Sequence, residues 1–383
     1  MTSNDNEVLL CSVLLCGGLL CGIGLLLWKA YCLALYQPIA PGFAQRCSDN
    51  PVGWRSPREH GIRCVEVQLR ATDATELSGW WMEHPGASVC LVFCHATHGN
   101  VGSHMQFIRR LVELPVHLLA VEYRGFGNSA PLAPDEAGLI LDVEAGYRYA
   151  RNRCDKVGFV GQGLGAAAAV KFVVNLKSRF PARPCPAVLC DSPVDSSQRL
   201  MADILPVPGG AFDMSIAALK SFGATQWNVE ADLAHLHDGG ESKLRVLVLE
   251  GASSTGRTAE RWSTAAGSTC AIGIFPVESQ GSKSDHDWIP AVRDVYTTFI
   301  EEIERGPELP PTSKSMPEKT SALPDPEVDP SILQRPGAAK DRAAVRPRLP
   351  ANRCSSCGFE ASTGSRFCTQ CGHILGTTAM GLD

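Results

Sequence analysis

Apolar positions along the chain fall into three regimes. From Val8 to Trp28 (VLLCSVLLCGGLLCGIGLLLW) no charged residue interrupts the run, which matches the roughly 20 apolar residues a helix needs to cross a hydrocarbon core. Asp5 and Glu7 stand before it where a cleaved leader would carry basic residues, and no small-residue cleavage pattern follows. Residues 8–28 therefore read as a retained transmembrane anchor. Between Arg63 and Ile303 short β-branched and apolar runs alternate with longer mixed stretches, the pattern of strands joined by helices in a mainly parallel sheet covered on both faces. Strands are expected at 63–69, 77–84, 88–95, 116–123, 156–161, 187–191, 244–250 and 270–277, the first two hairpin-like and the others separated by helical lengths. The enclosing domain spans 60–305. Residues 306–353 are Pro-rich with few aromatics (PELPPTSKSMPEKTSALPDPEVDP) and bury too little to offset ordering entropy, so they read as a disordered or polyproline-like linker.

Charge and cysteine usage refine this layout. The 383 residues carry a formal net charge of −5, which gives no general attraction to nucleic acid. Lys29, Arg46, Arg55 and Arg58 follow the apolar run, so the positive-inside rule places the main domain in the cytosol of a single-pass membrane protein. Of the 16 cysteines, Cys11, Cys16, Cys21 and Cys32 lie in or beside the anchor, Cys32 as either a palmitoylation candidate or a lipid-facing thiol. Cys47, Cys64, Cys90, Cys94, Cys154, Cys185, Cys190 and Cys270 are scattered, several in apolar strands where Cys acts as a small hydrophobe. This is no disulfide framework.

The last four form two knuckles, Cys354/Cys357 and Cys368/Cys371, each followed by a glycine (Gly358, Gly372). Four thiolates at this spacing complete a closed tetrahedral Zn²⁺ site, so residues 354–375 are expected to be a structural zinc ribbon. The motif resembles the short zinc-ribbon family. With all four positions filled by Cys no open coordination site remains, and the module is expected to make protein contacts.

The central domain carries the chemistry. GFVGQGLGAAAAV (158–170) has the strand, glycine-flanked turn and small-residue helix of a nucleophile elbow, G-x-S-x-G, but its central residue is Gly163. Around it come FCHATHGNVGSH (93–104), AVEYRGFGNSAP (120–131), LCDSPVDS (189–196), LEGASST (249–255) and SDHDW (284–288). In this order they resemble the landmarks of α/β-hydrolase domain (ABHD) proteins, above all the membrane-anchored branch, over about 240 residues. The resemblance implies an α/β-hydrolase fold with an eight-stranded, mainly parallel sheet.

Position by position, the resemblance implies a catalytic apparatus that is only partly present. Gly163 stands at the nucleophile, Ser254 at the acid, and His286 at the retained base. The two oxyanion-type backbone donors fall near Ala96, where the family has glycine, and at Leu164. Asp191 is either a substitute acid or a structural carboxylate, and Ser192 and Ser253 are the nearest hydroxyls that could replace the nucleophile. His98 and His104 are either ligands or solvated loop histidines. Tyr123-Arg124-Gly125 is expected to order its loop, Asp285 and Asp287 either tune His286 or cap a helix, and Ala166 to Ala169 need only be small for close packing. Three readings follow: a catalytically impaired hydrolase-like protein at a membrane that binds a lipid or acyl ligand or a protein partner; an ester or thioester hydrolase with a relocated nucleophile; and an adaptor that recruits partners through the zinc ribbon.

Overall fold

The structure, a computed structural model, describes residues 35–37, 42–181, 184–194, 196, 227–236, 243–251, 258–277 and 290–306. The expected anchor at 8–28, the linker beyond Gly306, the ribbon at 354–375, Ser253, Ser254 and the segment Ser284–Trp288 with His286 lie outside the described residues. Among the described residues no helix is long and apolar enough to cross a membrane, and no group of His, Cys, Asp and Glu could hold a metal ion.

Eight strands form one sheet: β1 (Val65–Arg70), β2 (Glu76–Met82), β3 (Val89–Cys94), β4 (His117–Val121), β5 (Lys156–Gln162), β6 (Val188–Asp191), β7 (Leu244–Gly251) and β8 (Cys270–Val277). Each boundary falls within two residues of the expectation from hydrophobic pattern. The order is β1-β2-β4-β3-β5-β6-β7-β8, with β2 antiparallel to both its neighbours and every other pairing parallel. This is the topology of the α/β-hydrolase fold. Among the described residues the helices are α1 (Met105–Leu111), α2 (Glu136–Arg151), α3 (Leu164–Arg179), α4 (Val229–Ala234), α5 (Thr258–Ala266) and, after the last strand, α6 (Pro290–Arg305).

The sheet is buried on both faces, and β3 shows how. Cys90, Val92 and Cys94 join the apolar cluster shared with α2 and α3, while Val89, Leu91 and Phe93 join the cluster shared with α1 and α6. Successive side chains of a strand point to opposite faces, so a strand covered on both sides is apolar throughout, as VCLVFC is. The eight scattered cysteines behave as expected: all are free thiols, seven buried and Cys154 half-buried.

β4 stops at Val121, before the expected 123, because the next residues leave the ladder for polar partners. Arg124 donates from Nε and Nη2 to Asp142 Oδ1 at 3.0 and 2.7 Å, and from Nη1 to Asp73 Oδ2 at 2.7 Å; its backbone N–H reaches Asp142 Oδ2 at 2.8 Å. Arg124 and Asp142 are both buried, so the ordering role expected of this loop is an ion pair between the strand-4 turn and α2. The Arg124 guanidinium beside Asp73 holds that carboxyl down at about 2.

Breaking a buried pair strands its partner's charge, at about 3–5 kcal/mol. Arg124→Met is expected to lower unfolding free energy in urea by that amount. Asp73→Asn, at the exposed end of the network, should lower it by under about 1 kcal/mol.

Candidate active site

The elbow is built by crowding. β5 runs into Gly163, which adopts φ 54° and ψ −120°, and α3 begins at the next residue. A Cβ on Gly161 would overlap the backbone of Ala166, and one on Gly165 would overlap the carbonyl oxygens of Cys94 and His95. The two outer glycines are therefore demanded by close backbone approach. Gly163 differs: among the described residues a Cβ there would meet only Ala96, with its Cβ at 3.3 Å. The turn that would present a nucleophile is intact, and the space in front of it holds no oxygen or sulfur from position 163.

Ala96 lies in the loop after β3, facing Gly163. Ala96 has an ordinary negative φ, so the methyl that stands where the family has glycine fits its backbone; Ala74 and Ser192 are the non-glycine residues with positive φ among those described. Leu164 is buried and opens α3, a 16-residue helix whose first-turn N–H groups have no acceptor four residues back. Ala96 faces Gly163 across the turn and Leu164 follows it at the start of α3.

Behind Ala96 the loop is held by a buried polar group that sequence pattern did not single out, Glu122. Its two carboxylate oxygens accept from Val101 N–H at 3.1 and 3.0 Å, and the Cys47 thiol donates to Oε2 at 3.5 Å. His95 Nε2 lies 3.2 Å from Glu122 Oε1, and His95 Nδ1 is 2.7 Å from Ala96 O. The His95 ring stacks on Tyr123 at 4.3 Å between centroids, and Tyr123 donates its hydroxyl to His95 O at 3.1 Å. A lone acid inside the apolar run VHLLAVEY was the available signal, since such a charge must find partners when buried.

His104 also departs from expectation. It is buried, with Nδ1 3.2 Å from Gln162 Oε1 and Nε2 3.3 Å from His98 O. Burial, with His98 and His95 nearby, drives its pKa well below 6.5. His104 is therefore a neutral imidazole packed behind Gln162, the last residue before the turn, whereas His98 is the exposed member of the loop.

On the other flank, parallel pairing sets Gln162 opposite Asp191. Asp191 O accepts from Gly163 N at 3.1 Å, and Val194 N donates to Gly163 O at 3.0 Å. Ser192 sits at φ 48° and donates its hydroxyl to Asp191 Oδ1 at 3.1 Å. Asp191 and Ser192, two of the three residues offered as substitutes, thus lie beside the elbow, and the third, Ser253, is outside the described residues. The thiol at the end of β3 does not qualify: burial pushes Cys94 up to about 12, so it stays protonated and unreactive.

No protein-family model matches the sequence. The chain is 28% identical over 179 residues to the uncharacterized protein YfhR of Salmonella typhi, covering 43% of this chain and 60% of that protein. It is 30% identical over 126 residues to the YfhR protein of Salmonella typhimurium strain LT2, covering 30% of this chain and 41% of that one. The chain thus spans less than two thirds of these curated relatives. Among solved structures it is similar to the Pyrococcus furiosus esterase Pf2001 (TM-score 0.48, 15% identity, 64% of this chain and 95% of that one). It is also similar to an alpha-beta hydrolase from Vibrio vulnificus (TM-score 0.49, 17% identity, 64% and 82%).

Two outcomes follow from this geometry. Gly165→Ala should cost at least about 4 kcal/mol or abolish folding, because its methyl meets backbone oxygens, whereas Gly163→Ala should cost about 1–3 kcal/mol of backbone strain; urea titration separates them. His104 binds protons more weakly folded than unfolded, so stability is full above about pH 6.5 and falls as pH drops below it. Thermal melts from pH 7.5 to 5 should show that slope, and His104→Gln should flatten it.

Proposed function

We propose that the chain is a membrane-held protein of the α/β-hydrolase fold that binds a lipid or acyl ligand, or a partner protein, at an elbow emptied of its nucleophile. The observation that carries this reading is Gly163 in the turn between β5 and α3, with no side chain and, among the described residues, only Ala96 in front of it. A carbonyl or carboxylate seated there would face the N-terminus of α3, whose orphan N–H groups favour negative charge. No covalent acyl-enzyme can form at position 163. Removing the nucleophile from an intact triad costs on the order of 10⁶ in kcat, which leaves only attack by water.

Ser192 supports a second reading, that of an esterase or acyl-thioesterase with a relocated nucleophile. A positive φ at a residue with a side chain stores strain of the kind found at functional sites, and its hydroxyl already donates to a carboxylate. In either reading the apolar run at 8–28 supplies the membrane anchor. Cys354, Cys357, Cys368 and Cys371 form a donor set suited to structural zinc, in a module that recruits a protein partner; nucleic acid is not among the expected partners.

Fluorophosphonate labelling of the full-length protein should give no adduct; an adduct on Ser192 would overturn the first reading in favour of the second. Gly163→Ser combined with Ala96→Gly, which relieves the 3.3 Å approach, should restore labelling at position 163. Ester turnover should stay low because Ser254 occupies the acid position. Adding Ser254→Asp should raise kcat by about 10³–10⁴, the scale on which a triad acid acts.

A further inference from the structure

Residues Leu35 to Gln37 bind the catalytic-site loop directly. Gln37 N donates to Thr97 O at 2.9 Å and Gly99 N donates to Gln37 O at 2.7 Å, a parallel bridge centred on His98. One residue before Thr97 stands Ala96, the residue that faces Gly163. Leu35 and Tyr36 are buried in the apolar cluster of α2 and α3. The Tyr36 hydroxyl accepts from Trp227 Nε1 at 3.0 Å, and Trp227 is fully buried at the end of the long connection between β6 and β7.

The same loop is gripped a second time by the segment that follows. Asn100 Nδ2 donates to Ala44 O at 2.9 Å, and the side chains of Asn50 and Asn100 bond each other at 2.9 and 3.1 Å. The three residues 35–37 thus join two parts of the site's surround that are otherwise separate in sequence: the loop carrying Ala96 and the returning end of the β6–β7 connection. They also come soon after the charge-free run that ends at Trp28. Seven peptide steps from Trp28 to Leu35 span at most about 25 Å.

We propose that Leu35–Gln37 is a clasp that positions the loop carrying Ala96 against Gly163, so that ligand binding at the elbow is coupled to the segment by which the chain leaves its N-terminal apolar run. Gln37 is a positioning residue in this scheme, and it acts through its backbone: neither bridge bond uses its side chain. A bound ligand that needs the loop ordered tightens the clasp, and loss of the clasp weakens the ligand by the same factor. The binding half rests on the ligand reading given above; the structural half does not.

The test uses the full-length protein in phosphatidylcholine vesicles, with hydrogen exchange and binding of a dansylated fatty acid as readouts. Gln37→Pro removes the N–H that bonds Thr97, and one such bond is worth about fivefold in a local opening equilibrium. It should speed exchange of residues 97–104 by about fivefold or more, leave 156–162 unchanged and weaken the probe at least threefold. Gln37→Ala, which keeps both backbone bonds, should change both readouts less than Gln37→Pro does, and Tyr36→Phe, which keeps the ring and folds even if the proline variant does not, should loosen the Trp227 end and weaken the probe. Equal effects of Gln37→Ala and Gln37→Pro, unchanged exchange at 97–104, or loosening with unaltered probe affinity would each overturn the proposal. Failure of the wild-type protein to bind the probe would overturn the ligand reading and the coupling together, while the exchange data would still decide whether the clasp exists.

Discussion

The close approach of α3 to the end of β3 is the constraint on which the rest of the site depends. At Gly165 the backbones come so near that even a methyl would overlap two carbonyl oxygens, and Gly161 meets the same limit against Ala166. This contact sets where β5 ends, the direction in which α3 departs and the distance from Gly163 to Ala96. The geometry that would make a nucleophile accessible is fixed by neighbours on either side of position 163. A glycine at position 163 therefore leaves the turn standing without any side chain of its own.

A second layer of buried charge keeps the surrounding loops in register. Arg124 ties the strand-4 turn to α2 through Asp142, and Glu122, two residues earlier, receives Val101 N–H from the strand-3 loop. Charges this deep are stable only when every partner is present. The loop carrying Ala96 is thus braced from below by Glu122, from the side by Asn50 and Asn100, and from the N-terminal segment by Gln37.

The sheet was legible in the sequence because it is periodic and buried. VCLVFC and KVGFVG show their strands by composition alone, and the glycine spacing of GQGLG reveals the elbow because the crowding admits no other residue at its two ends. The glycine at the centre of that turn, Gly163, is read directly. Contacts between backbones distant in sequence were not legible. The bridge of Gln37 to Thr97 and Gly99 uses no side chain, so no residue type announces it, and the bond from Trp227 to Tyr36 joins positions 191 apart. His104 read as a loop histidine, either a ligand or solvated; it is buried because the loop folds back onto Gln162.

The buried sulfurs have a consequence for how long the folded chain survives. In the native state burial holds Cys64, Cys94 and Cys270 up to about 12, so almost none of this sulfur is thiolate at neutral pH. Each excursion to the unfolded ensemble returns those groups to the ordinary thiol range near 8.5, where they oxidise and exchange. In an oxidising medium, chemical capture of the opened chain would then compete with refolding. The working lifetime would be set by the frequency of opening, and only secondarily by the equilibrium free energy.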